Sequence, residues 1–270
     1  MLGFFDSGFG GLTILKEVVK ILPKYSYIYL GDNARMPYGS RSQEEIYKFT
    51  VEGVEELFKR GAKLVILACN TSSSSALKII QREFLSKNYP DKRVLGVIIP
   101  TAEEIGKFTS SREVGILATE ATVNSLAYLR EINKFYPEIK VYQQACPLLV
   151  PIIEAGEIKQ KNLNLAIEQY LNQLFQKSRK IDTIILGCTH YAIIENKIKS
   201  YLSKSVKILS QGKIVADKLK NYLERHSEIE NKLSKTGEKI FLTTKNSERV
   251  KKLAKLFFED IYGLNSDNLF

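Results

Sequence analysis

Two cysteines close two look-alike apolar runs. One run reads Leu64-Val65-Ile66-Leu67-Ala68-Cys69-Asn70-Thr71, and the other Thr183-Ile184-Ile185-Leu186-Gly187-Cys188-Thr189-His190. Each is a β-rich stretch, a small residue, a thiol, and then side chains that hydrogen-bond. Thiols displayed alike by two halves of one chain suit a reaction that takes a proton from one face of a carbon and returns one to the other. Asn70 and Thr71 add an amide and a hydroxyl beside Cys69. A helix starting there would lower that thiol's pKa and favour a bound carboxylate. His190, one of only two histidines, is a proton partner for Cys188 or for a substrate. The other, His226, sits in a charged run and reads as surface.

A metal site is the rival reading of Cys69, Cys188 and His190. Cys-x-His lacks zinc-ligand spacing and no second Cys/His cluster completes a tetrahedron, so no metal is expected. Cys146, in Ala145-Cys146-Pro147, has no polar company and reads as packing. Glu154 follows the apolar run Leu148–Ile153 and, on its own, reads as an exposed helix-end carboxylate. Phe5-Asp6-Ser7-Gly8-Phe9-Gly10-Gly11 is a glycine turn between a strand and a helix, able to aim N–H groups at an anion. It is neither a Walker A loop nor a dinucleotide fingerprint. Asp6 there either caps the helix or meets a substrate amine or a nearby base. Gly31-Asp32 through Pro37-Tyr38-Gly39-Ser40 is a polar loop with a rigid aromatic turn.

These residues need strand ends to hold them. Strands are expected at Leu2–Phe5, Tyr27–Leu30, Leu64–Ala68, Val94–Ile99, Val114–Ala118, Lys140–Ala145, Thr183–Gly187, Val206–Leu209 and Lys239–Thr243, with helical periodicity between most of them. Gln43–Arg60 is the clearest helix, with Ser42 and Glu45 placed for a capping box. The alternation predicts an α/β fold: two similar lobes with mostly parallel sheets and the active site in the cleft between them. Asp6, Cys69, Thr119 and Cys188 all fall beyond carboxyl ends of strands, where such sheets bind ligands. Weak boundaries near Pro100 and Ser210–Gly212 divide the chain into a first lobe of residues 1–99 plus 211–270, carrying Cys69, and a second of residues 100–210, carrying Cys188.

Composition narrows the partners. At 270 residues the chain is long enough for one large domain or two smaller ones. The formal charge is +10, yet lysines alternate with glutamates, as from Glu248 to Lys255, and no Lys/Arg block is interleaved with aromatics. This reads as a solvated surface that mildly attracts anionic small molecules, with no nucleic-acid partner. No apolar run approaches the roughly 20 residues of a membrane span, so no membrane partner is expected. Three cysteines fit reduced thiols better than a disulfide framework, and no secretory leader is visible, so the expected location is cytoplasmic.

Taken in order, the segments make a pattern: Asp6-Ser7-Gly8-Phe9-Gly10-Gly11, Gly31-Asp32 with Pro37-Tyr38-Gly39, Ala68-Cys69-Asn70-Thr71, Ala118-Thr119-Glu120-Ala121-Thr122-Val123, Ala145-Cys146-Pro147-Leu148 through Val150-Pro151, and Gly187-Cys188-Thr189-His190-Tyr191. The set resembles the glutamate racemase family from Gly3 to about Gly212, and more loosely to the end. The resemblance implies cofactor-independent interconversion of L- and D-glutamate by two cysteines, supplying D-glutamate for peptidoglycan synthesis. Cys69 would serve the D-glutamate side and Cys188 the L-glutamate side, with Asp6, Glu154 and His190 as assisting acid/base residues. Ser7, Tyr38, Gly39, Asn70, Thr71 and Thr189 match substrate-contacting positions, with Asp6 and His190 beside them and Thr119 and Thr122 as additions. Glutamate is the implied small-molecule partner, no cofactor is implied, and a homodimer is expected. Four places depart from the family pattern: Phe9, Ser73, Pro100-Thr101-Ala102 and Leu209-Ser210-Gln211-Gly212. Rival readings are a racemase of aspartate, a cis–trans isomerase of small dicarboxylates, and a non-catalytic anion-binding or thiol redox protein.

Overall fold

A computed structural model describes residues 1–245, 247–258 and 264–265. Among the described residues ten strands form two sheets, and every strand pair in both is parallel. The strands are β1 (Leu2–Asp6), β2 (Tyr27–Gly31), β3 (Leu64–Leu67), β4 (Arg93–Gly96), β5 (Glu113–Ala118), β6 (Lys140–Ala145), β7 (Thr183–Gly187), β8 (Lys207–Leu209), β9 (Lys239–Thr243) and β10 (Leu264–Asn265). The first sheet runs β10-β9-β2-β1-β3-β4 and the second β6-β5-β7-β8. Strands β1, β2, β3, β5 and β7 are buried along their whole length. Continuous apolar runs such as Leu64–Leu67 suit sheets covered on both faces.

The order β2-β1-β3-β4 in the first sheet is repeated as β6-β5-β7-β8 in the second. In each, the chain reverses its direction of growth at the central strand. The reversal opens a crevice beyond the carboxyl ends of β1 and β3 in one sheet, and of β5 and β7 in the other. Asp6 ends β1, Cys69 follows β3, Thr119 follows β5 and Cys188 follows β7, so the two cysteines hold equivalent places. Strand β9 pairs with β2 and carries the late chain back to the first sheet. The remainder of the 211–270 segment beyond residue 258, apart from Leu264–Asn265, lies outside the described residues, as do several of the Glu248–Lys255 side chains.

One expected element is wrong. Val94–Ile99 is not a single strand: β4 stops at Gly96, and Ile98–Glu104 is helical. Ser73 Oγ accepts from the Val97 backbone N–H at 3.1 Å, which turns the chain out of the sheet. Pro100 is tolerated because it lies in the first helical turn, where backbone N–H groups have no intrahelical partner. Strand β10 carried no sequence signal and was not expected.

The capping box is present. Ser42 Oγ accepts from Glu45 N at 3.2 Å while Glu45 Oε2 accepts from Ser42 N at 3.1 Å, opening the helix Gln43–Lys59. That helix buries Ile46, Val54, Leu57 and Phe58 against the first sheet. Replacing Ser42 with alanine orphans the Glu45 N–H. It is expected to lower unfolding stability by about 1 kcal/mol in urea titration with turnover unchanged.

Candidate active site

Both cysteines line one cavity of about 80 Å³ between the two sets of strand ends. On that scale one water needs ~10–15 Å³, so the space is that of a small molecule. Cys69, Ser7, Tyr38, Gly39, Asn70 and Thr71 reach it from the first sheet's side; Thr119, Cys188, Thr189 and His190 reach it from the second's. Asp6, Glu154 and Thr122 are not part of the lining and stand behind it, each touching a residue that is.

On the first wall, Cys69 is 5% exposed, and its Sγ lies 3.4 Å from Ser7 Oγ. Asp6 is fully buried; its Oδ1 accepts from Gly8 N at 2.8 Å and its Oδ2 from Thr189 Oγ1 at 3.2 Å. The helix Leu12–Ile21 has no side-chain cap, so Asp6 spends itself on the glycine turn and the opposite lobe instead. The turn approaches Thr189 and His190 so closely that a Cβ at Gly10 would lie 2.3 Å from Thr189 Oγ1. Only glycine fits there.

Burial pushes the Cys69 thiol up, and the neighbouring Asp6 carboxylate adds to the effect. This reverses the expected lowering by a helix start. The helix Asn70–Ser75 has six residues, and full burial outweighs the hydrogen bonds from Ser7 and the Ser72 backbone. Burial raises Asp6 as well.

The second wall is differently charged. Cys188 Sγ lies 3.8 Å from His190 Nδ1, and His190 Nε2 pairs with Glu154 Oε1. The Glu154 side chain is only 8% exposed, unlike the surface carboxylate its local sequence suggests. Burial pulls the His190 pKa down, but Cys188 and Glu154 together carry it well above the usual imidazole value. The edge of the His190 ring meets Phe257 at 5.5 Å between centroids.

Hydroxyls and amides join the walls. Thr71 Oγ1 and Thr119 Oγ1 are 2.9 Å apart across the cleft, and Thr119 also receives the Thr122 backbone N–H. The Tyr38 hydroxyl donates to Asp32, which also accepts from Arg35 Nε at 2.6 Å and Thr244 Oγ1 at 2.8 Å. Tyr38 therefore offers the cavity its ring rather than its hydroxyl. Asn70 Nδ2 donates to Gln211 Oε1 at 2.6 Å, and its Oδ1 accepts from the Tyr128 hydroxyl at 2.7 Å.

Tyr128 carries no sequence signal as a site residue, and Asp32 stands out only as part of the Gly31-Asp32 motif. The departure at Leu209–Gly212 was the only hint of Gln211. Cys146, read as packing, borders the cavity, but its Sγ contacts the Gln144 carbonyl at 3.5 Å and burial raises its pKa. His226 stacks on Tyr222 at 4.0 Å and is not in the lining. Among the described residues no three His, Cys, Asp or Glu side chains form a group able to hold a metal, and no helix is long and apolar enough to cross a membrane.

Two parallel α/β lobes each present a thiol to one small cavity. The Asp/Glu/Hydantoin racemase family model matches residues 10–219, and the chain belongs to that family. It is 38% identical over 257 residues to the glutamate racemase of Listeria monocytogenes, covering 94% of this chain and 92% of the relative. The crystal structure of glutamate racemase from Francisella tularensis in complex with D-glutamate superposes with a TM-score of 0.87 at 34% identity, covering 99% of this chain and 97% of that one. A glutamate racemase from Bacillus anthracis gives 0.88 at 32% identity, with 98% and 96% covered.

The Glu154–His190 pair has a pH consequence. His190 binds its proton more tightly folded than unfolded, so that proton stabilises the fold fully below about pH 6.5 and ceases to as pH rises through the elevated value. In Glu154→Gln the imidazole should titrate at lower pH than in the parent protein. Imidazole nitrogen NMR across a pH series reads this directly, and an unmoved titration would contradict the assignment.

Proposed function

We propose that this protein racemises glutamate by a two-base mechanism in which Cys69 and Cys188 work on opposite faces of Cα. The observation that carries the reading is the sharing of one cavity by two thiols at equivalent ends of β3 and β7. The similarity to the glutamate racemases of Listeria, Francisella and Bacillus supports the choice of glutamate over aspartate.

An amino-acid α-proton is weakly acidic, so the developing carbanion must be stabilised electrostatically in a site closed to water. In the L-to-D direction, Cys188 as thiolate takes the α-proton while Cys69 as thiol delivers its own to the opposite face. Burial holding Cys69 protonated and a charged His190 beside Cys188 match that starting state. One turnover leaves Cys188 as thiol and Cys69 as thiolate. A second turnover in the same sense requires Cys188 to lose a proton and Cys69 to gain one: His190 takes the Cys188 proton once it has released its own to solvent by way of Glu154, and Asp6 relays a solvent proton to Cys69. The D-to-L direction begins from the exchanged state.

Ser7, Gly39, Asn70, Thr71, Thr119 and Thr189 hold the substrate's carboxylates and ammonium in this reading, the Tyr38 ring packs against its chain, and Thr122 steadies Thr119. In this reading the lobes are residues 1–99 with the described part of 211–270, and residues 100–210. A cytoplasmic location, a homodimer and supply of D-glutamate to peptidoglycan follow from the family alone.

Cys69→Ser and Cys188→Ser should each lower turnover by roughly 10²–10⁴-fold, the usual worth of a positioned acid or base. The assay is the change in optical rotation of L-glutamate with purified protein and no added cofactor. In heavy water, the early product should carry solvent deuterium at Cα while recovered substrate carries far less. Rapid, equal labelling of both enantiomers would show one base serving both faces and would sink the two-base reading.

A further inference from the structure

The hydrogen bonds around Asn70 have a direction that can be traced to a fixed end. Val97 contributes a backbone carbonyl, which only accepts. Thr101 Oγ1 donates to that carbonyl at 2.9 Å, so its oxygen is left as an acceptor. Gln211 Nε2 lies 3.1 Å from the Val97 oxygen, 2.9 Å from Thr101 Oγ1 and 2.9 Å from the Tyr128 hydroxyl. Acceptors on that side require the amide nitrogen of Gln211 to face them, which turns Oε1 toward Asn70. The Asn70 side chain must then present Nδ2 to Gln211 and Oδ1 to Tyr128. An inverted Asn70 would set oxygen against oxygen at 2.6 Å. Gln211 and Asn70 are both buried, at 4% and 2% exposure, so water does not substitute for a lost partner without cost.

This chain of bonds spans the structure. Asn70 follows β3, Tyr128 lies in the helix Ala127–Phe135, Thr101 in the helix Ile98–Glu104, and Gln211 opens the helix Gln211–Arg225. The peptide at its fixed end is clamped from the other side by Ser73, whose Oγ accepts from Val97 N. Asn70 has two N–H protons, Gln211 takes one, and Asn70 borders the cavity.

We propose that Gln211 is a positioning residue: it holds the Asn70 carboxamide in a single orientation so that the second N–H serves a carboxylate of the bound amino acid. The inference rests on the racemase reading of the cavity. Because Asn70 would grip substrate and transition state alike, loss of its orientation weakens binding more than it slows chemistry.

The test uses the full chain and a double-mutant cycle. Gln211→Met keeps length and burial but removes both the acceptor and the donors. It should raise KM for glutamate about tenfold with kcat changed less than about twofold. In an Asn70→Ala background the same substitution should have no further effect on KM. Side-chain amide NMR should show the Asn70 NH₂ pair shifted in Gln211→Met even without substrate. A Gln211→Met enzyme with wild-type KM, an equal KM penalty with and without Asn70, or an unmoved Asn70 amide signal would each overturn the proposal. If Gln211→Met does not fold, Tyr128→Phe, which removes the donor to Asn70 Oδ1, is read by the same three criteria. A parent protein that leaves L-glutamate unchanged would defeat the racemase reading instead, while the amide signal still decides whether Gln211 orients Asn70.

Discussion

Burial decides the chemistry of this cleft. Removing water penalises every charged form, and the two walls answer that penalty differently. On the first wall nothing offsets it fully, so Cys69 and Asp6 both hold protons more tightly than they would in solution. On the second, Glu154 and Cys188 overcome it and make His190 the favoured seat of a positive charge. The two thiols thus meet unlike surroundings, although both arrive on equivalent strands. In water the same groups would titrate near their ordinary values and the asymmetry would disappear.

The scaffold supplies equivalence and the side chains break it. Two sheets with matching local strand order bring β3 and β7 to like positions. The segments leaving those strands differ: a six-residue helix comes after Cys69, and a tight 3-10 turn carrying His190 comes after Cys188. Hydrogen bonds from Thr189 to Asp6 and between Thr71 and Thr119 tie the walls at short range. These bonds are local enough to be remade if the lobes open to admit a ligand.

Much of this was legible in the chain. Apolar runs such as Leu64–Leu67 and Thr183–Gly187 announce buried parallel strands, and residues just past them announce the site. Ser42 with Glu45 announces the helix they cap. Other parts depended on partners distant in sequence. Glu154 looks like a surface carboxylate until folding brings His190 to it, 36 residues later. The rise at Cys69 comes from burial, which local helix arguments do not capture. Val94–Ile99 reads as a strand because its residues are β-formers, and only the tertiary bond from Ser73 shows where it ends. Ser73, Thr101 and Gln211 each stood out only as departures from a family pattern. In the folded chain all three bond to the peptide of Val97, or to each other around it.

The unlike surroundings of the two sulfurs carry a thermodynamic restriction. Mirror-image amino acids have identical free energies in an achiral solvent, so their equilibrium ratio is unity whatever the enzyme does. For a glutamate racemase built this way, a buried donor opposite a charged imidazole therefore leaves the second-order rate constants of the two directions equal. The asymmetry is confined to how each direction divides that constant between saturation and turnover: whichever enantiomer meets the resting protonation state gains in affinity what it forfeits in maximal velocity.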